Sequence, residues 1–103
     1  MNGCVIFGTG QAGMAMYRLM QREGRRVAAF GDNDETRWGT AIDGIPVWPL
    51  KQVAGAALEM VCIAIMNREA AETVRKDLLA AGFAGRIITA AELKASFDIR
   101  LAV

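Results

Sequence analysis

Short apolar runs, separated by longer stretches of mixed character, set the rhythm of this chain. The first run, Cys4 to Phe7, is too short for a helix and is stopped by Gly8, so it predicts a strand. From about Gln11 to Glu23, Ala12, Met16, Leu19, Met20 and Glu23 fall at helical spacing, and Gly24 is placed to end the helix. A second strand, Val27 to Phe30, stops at the turn formers Gly31-Asp32-Asn33-Asp34. Residues 35–42 are polar and predict irregular chain with room for one helical turn. In GIPVWP, Pro46 and Pro49 restrict a third strand to something short, and Lys51 to Leu58 reads as a short helix weakened by Gly55. Met60 to Ile65 is apolar on both faces, as in the centre of a parallel sheet. A helix from Glu69 to Ala81 places Ala70, Val74, Asp77, Leu78 and Ala81 along one side and ends at Gly82. Arg86 to Thr89 forms the fifth strand and about Ala90 to Phe97 the last helix.

Strands that alternate with helices call for a parallel sheet covered on both faces. The length of 103 residues fits one domain, with no repeat, low-complexity tract or linker and no room for a separate substrate domain. The expectation is one module over residues 1–103, complete or part of a larger protein.

The turn after the first strand carries the chemistry. Gly8, Gly10 and Gly13 make a complete Gly-x-Gly-x-x-Gly between a strand and a helix. In that setting the first glycine allows the tight turn, the second lets a diphosphate approach the backbone, and the third lets helix and sheet pack closely. The helix N-terminus then offers free N–H groups and a positive dipole to an anion. Gly8, Thr9, Gly10, Gln11, Ala12 and Gly13 are therefore the candidate phosphate-binding residues. The same fingerprint asks for an acid after the second strand, to accept from ribose hydroxyls, and Asp32 stands there. Asn33 and Asp34 can share or take that role. A carboxylate at this place repels a 2′-phosphate, which favours NAD over NADP, and Arg25 and Arg26 are less well placed to reverse the preference. The alternative is purely local: the glycines shape a tight connection and Asp32 caps a turn. The strand, helix and acid in register predict an α/β fold, a Rossmann-like doubly wound parallel sheet of about five strands in the order 3-2-1-4-5, with helices on both faces.

Reactive groups are scarce. The chain has no histidine, which removes the commonest general acid and base. Tyr17 is the only tyrosine, and Gln21 stands four residues on, where a tyrosine–lysine pair would need lysine. Ser96, the only serine, has no base nearby in sequence. Cys4 and Cys62 lie inside apolar runs and read as core residues, and two such cysteines make no metal set. No catalytic residue is assigned. Asn67 and Arg68 follow the fourth strand at the carboxyl edge, where Asn67 is a candidate ligand contact or a helix cap. Trp38 and Trp48 are expected to pack the loop.

Lys and Arg number 12 against 11 Asp and Glu, a net charge of +1, so no nucleic-acid face is expected. Met60 to Met66 is far shorter than the roughly 20 residues that cross a bilayer, and no secretory signal is visible. The cytoplasm is the expected location, without membrane insertion.

VIFGTGQAG, VAAFGDNDETRWGTAIDGIPVWPL and VCIAI together resemble the small Rossmann-like domain at the front of several sugar-processing proteins. These are nucleotide-sugar dehydratases of surface polysaccharide synthesis, acetyltransferases acting on UDP-linked amino sugars, and some sugar or lipid-linked methyltransferases. The matching residues are Asp32, Asn33, Asp34, Gly39 and Gly44 to Val47; Gly31 departs from the hydrophobic residue usual before the acid. The resemblance implies a small-molecule nucleotide ligand, NAD(H) or a nucleotide sugar, with the catalytic machinery elsewhere. The expected function is a nucleotide-binding module, non-catalytic alone, tied to polysaccharide or sugar-nucleotide biosynthesis. The alternatives are an NAD-dependent or sugar-modifying enzyme whose site is completed by another domain or subunit, and an interaction domain with a vestigial site. For a homodimer, the two candidate contact surfaces are the unpaired sheet edge at GIPVWP and the methionine-rich first helix.

Overall fold

The computed structural model describes residues 3–92. Its elements follow in the order β1 (Cys4–Phe7), α1 (Gln11–Arg22), β2 (Val27–Gly31), a 3-10 turn (Glu35–Arg37), β3 (Ala41–Ile42), β4 (Ile45–Trp48), α2 (Leu50–Gly55), β5 (Met60–Ile63), α3 (Arg68–Ala80) and β6 (Arg86–Thr89). Residues 90–92 are helical; the rest of the expected last helix, with Ser96, falls outside the described residues. No helix among the described residues is long and apolar enough to cross a membrane.

The strands make one sheet in the order β3-β4-β2-β1-β5-β6, parallel throughout except for the β3–β4 pair. The five expected strands thus stand in the expected order, with GIPVWP as β4. The sixth strand comes from a hairpin. Asp43 and Gly44 both have positive φ, 51° and 77°, the two-residue turn whose twist suits antiparallel strands. The edge of β4 is therefore covered by β3 and not left unpaired as expected. β5 ends two residues early, although Ala64 N–H still donates to the Phe7 carbonyl at 2.8 Å.

Alternation along the strands sends side chains to two cores. Cys4 and Ile6 join Met16, Tyr17, Met20, Phe30, Val47 and Cys62 under α1, while Val5 and Phe7 join Ala29, Val53, Val61, Val74 and Leu78 under α2 and α3. Helices therefore cover both faces. Met16 and Met20 are buried in the first core and Met14 packs against it, so these methionines are core and not a contact surface. On α3 the buried positions are Ala71, Val74 and Leu78; of the expected stripe Val74 and Leu78 are buried, whereas Ala70, Asp77 and Ala81 are exposed. The buried stripe keeps the spacing i, i+3, i+7 through Val74 and Leu78 but begins at Ala71 instead of Ala70.

The unusual Gly31 has a steric cause. It pairs with Phe7 across β1 and β2, and a Cβ on Gly31 would lie 2.7 Å from Phe7 Cε2. The ring of Phe7, fully buried, occupies the space that a side chain at position 31 would need. Gly31→Ala is expected to destabilise the fold by about 1–3 kcal/mol through overpacking. In a Phe7→Leu background the same alanine should cost less, a coupling read from a double-mutant cycle of urea denaturation. Equal costs in both backgrounds would place the clash elsewhere.

Candidate functional site

The strand order reverses between β1 and β5, and open sheets of this type form a crevice at the carboxyl ends of such strands. Here that crevice is a cleft of about 490 Å³, lined by Phe7 to Ala12 after β1, by Asp32 and Asn33 after β2, and by Ala64 to Met66 after β5. Its size lies in the range of roughly 300–1,000 Å³ common to small-molecule sites.

The three glycines have different reasons to be there. Gly8 has φ 120° and sits against β5, where a Cβ would come within 2.7 Å of the Ala64 carbonyl oxygen. Gly13 is the first buried residue of α1, and a Cβ there would collide with the carbonyl of Gly8, whose carbon would be 2.8 Å away. Both are demanded by the packing of the turn. Gly10 is not: its φ is −82°, its ψ −161°, and a Cβ would meet nothing within 4 Å. The space above it is the cleft.

Gly10 is also the N-cap of α1. No side chain caps this end, the first turn holds no acidic residue, and the first bond back to the cap comes from Met14 N–H at 3.0 Å. The N–H groups of Gln11, Ala12 and Gly13 are thus left with the positive end of the helix dipole beside an open cleft. α3 begins differently. Asn67 Oδ1 accepts from Ala70 N–H at 2.9 Å, and Glu69 stands in the first turn. Asn67 is therefore spent on capping, and it is absent from the residues lining the cleft, so the structure does not bring it together with the glycine turn.

Asp32 is drawn into the turn. Its Oδ2 accepts from the backbone N–H of Thr9 at 3.2 Å and from the Thr9 hydroxyl, and its Oδ1 accepts from Asp34 N–H at 2.9 Å. Its own N–H donates to the Trp48 carbonyl at 3.1 Å, and its carbonyl accepts from Trp38 Nε1 at 2.7 Å. Thr9, buried, is thereby the link between the glycine turn and the end of β2. The contact of the Thr9 hydroxyl with Asp32 joins residues 23 apart in the chain and has no signature in the sequence. Trp38 braces the loop, and Trp48 packs against the second core. Asp34 caps the 3-10 turn, and the Thr36 hydroxyl and N–H it accepts hold its carboxyl below the usual range.

The other candidates lie away from the cleft. Tyr17 packs edge-on to Phe30 at 5.3 Å between centroids, and burial, followed by the nearby Asp43 carboxylate, raises its pKa. Arg25 and Arg26 flank a hollow with Gly3, Cys4 and Glu59 at the opposite, amino edge of the sheet. Arg68 lines a second hollow of about 340 Å³ over β5 and β6 with Glu72, Thr89 and Glu92; it shares Ile65 and Met66 with the cleft. No group of three or more metal-ligating side chains occurs among the described residues.

An open parallel sheet wound on both faces, with a glycine turn and a helix N-terminus at its point of strand reversal, defines a Rossmann-like nucleotide-binding domain. The chain belongs to the family described as C2185-like, N-terminal, whose model matches residues 1–89. Among curated relatives, the redox-sensing transcriptional repressor Rex 1 of Enterococcus faecalis is 34% identical over 101 residues, spanning 91% of this chain and 46% of the repressor. Among solved structures, a Rex-family repressor, RSP, superposes with a TM-score of 0.66 at 17% identity over 97% of this chain and 58% of its own. Perosamine N-acetyltransferase from Caulobacter crescentus superposes with a TM-score of 0.64 at 25% identity, over 79% of this chain and 39% of its own. The chain thus spans between 39% and 58% of the length of these three relatives. A sugar acetyltransferase is the kind of neighbour the motifs led one to expect; Rex repressors are not.

Two measurements check this geometry. Serine is a good N-cap, so Gly10→Ser should leave stability within about 0.5 kcal/mol of the parent, whereas Gly13→Ala should cost about 2–3 kcal/mol, or roughly 10 °C in Tm for a chain of this size. Thermal melts that rank the two the other way would contradict the assignment. Burial and the nearby Cys4 push the Cys62 thiol up to about 12, and burial raises Cys4 too. Neither thiol should therefore react with a disulfide reagent at pH 8 in the folded chain, and both should react once it is unfolded.

Proposed function

We propose that residues 1–103 act as one nucleotide-binding module that takes NAD(H) on the glycine turn and performs no chemistry alone. One observation carries this reading: Gly10 is the single glycine of the motif that the fold does not require, and the open space over it adjoins the uncapped start of α1. In this reading the diphosphate lies on Gly8, Thr9, Gly10, Gln11, Ala12 and Gly13, the adenosine ribose faces Asp32 and Asn33, and the rest of the ligand runs over Met66 toward Arg68. Kinship supports the choice of NAD(H). Structures of RSP hold β-NADH in one case and β-NAD+ with operator DNA in another, and Rex 1 is a redox-sensing repressor. We assign no DNA contact to these residues, whose cations and anions nearly balance. The absence of histidine, the core position of both cysteines and the distance of Tyr17 from the cleft support binding without reaction. We place the module in the cytoplasm, where these nucleotides are made and used.

A nucleotide sugar is the second reading. It is favoured by the acetyltransferase, whose structure contains GDP-perosamine, and by the GIPV stretch in β4. This reading keeps the link to polysaccharide biosynthesis and a catalytic domain or partner elsewhere.

Calorimetric titration separates the two. NADH at about a hundred times its Kd should stabilise the fold by about 2.7 kcal/mol, with NADPH at least about tenfold weaker because the Asp32 carboxylate faces its 2′-phosphate. Gly10→Asp should keep the fold and abolish binding, since its carboxylate would cap α1 and repel the diphosphate. Preference for a UDP- or GDP-sugar would select the second reading; no binding by any of these nucleotides would remove both.

A further inference from the structure

The carboxylate that faces the ribose in the reading above is already heavily used. An ionised carboxylate offers about four acceptor positions, two on each oxygen. On Asp32, Oδ2 has both filled by Thr9, through its N–H and its hydroxyl, and Oδ1 has one filled by Asp34 N–H. One position remains, on Oδ1. The side chain cannot turn to offer more without breaking these bonds, because the Asp32 backbone is itself held at both ends by Trp48 and Trp38. A ribose presents two neighbouring hydroxyls, and a carboxylate that binds both uses one acceptor position on each oxygen.

We propose that Thr9 is a specificity-determining residue: by occupying Oδ2, it makes Asp32 a reader of one ribose hydroxyl instead of two. This rests on the nucleotide-binding reading and deepens it. The Thr9 hydroxyl is the removable part of the device, since its backbone N–H stays whatever the side chain. Thr9→Val keeps the shape and the N–H, removes the hydroxyl, and opens an acceptor position on Oδ2. The site then takes the hydroxyl that it formerly ignored.

The test uses the full chain with ADP and with UDP as probes, each compared with its 2′-deoxy and 3′-deoxy forms by calorimetry, so that neither base is assumed. In the parent chain one deoxy form should bind about tenfold or more weakly, as expected for loss of a hydrogen bond to a charged acceptor. The other should bind within about threefold of the parent nucleotide. In Thr9→Val both deoxy forms should bind about tenfold more weakly than the ribonucleotide, a change of selectivity that a merely structural role for Thr9 would not produce. Equal losses from both deoxy forms in the parent chain would overturn the proposal, as would no loss from either, or a valine variant that folds and keeps the parent selectivity. If the variant does not fold, the comparison in the parent chain decides alone. Failure of both ADP and UDP to bind would overturn the nucleotide reading itself, and this inference with it.

Discussion

Everything at the carboxyl edge of this sheet depends on a helix that starts almost in contact with the strand before it. Gly13 lies so close to the Gly8 carbonyl that no Cβ fits between them. That approach brings the start of α1 to the point where the strand order reverses, and leaves its first N–H groups beside the cleft. The floor of the cleft is consequently backbone.

The two longer helices show what this arrangement costs and what it offers. α3 closes its own N-terminus with Asn67 and an acid in the first turn, and its free donors are fewer as a result. α1 does neither, although a glycine cap leaves a helix start less stable than a good side-chain cap by a few tenths of a kcal/mol, about 0.5 kcal/mol at most. On the other side of the cleft, Asp32 is satisfied chiefly from within the chain. The site thus sets free backbone donors against a carboxylate held by three hydrogen bonds from Thr9 and Asp34.

Much of this could be read from the residues. Four-residue apolar runs, glycines at both helix ends and the spacing of the glycine motif located β1, β2, β5, β6, α1 and α3 to within a residue or two, because each signal is local. What was missed depends on contacts between distant residues. Asp43-Gly44 is a strong hairpin signal, yet the strands it joins are so short and so interrupted by Pro46 that their periodicity is faint. Gly31 looked like a departure from pattern until the β1–β2 register placed it beneath the Phe7 ring. The Thr9–Asp32 bond spans 23 residues, and no spacing rule points from one to the other. Asn67 could be a cap or a contact by composition alone; only the position of Ala70 N–H decides that it caps.

The small hairpin also governs how the molecule meets its surroundings. A sheet edge is a template on which another chain can add a strand. On this side the last strand is only Ala41–Ile42, and the proline at position 46 lies in the strand beside it, so the outer rim offers too little continuous backbone for another chain to register against. The turn at Asp43 and Gly44 therefore acts as a terminator: it ends the lattice of strands inside the molecule.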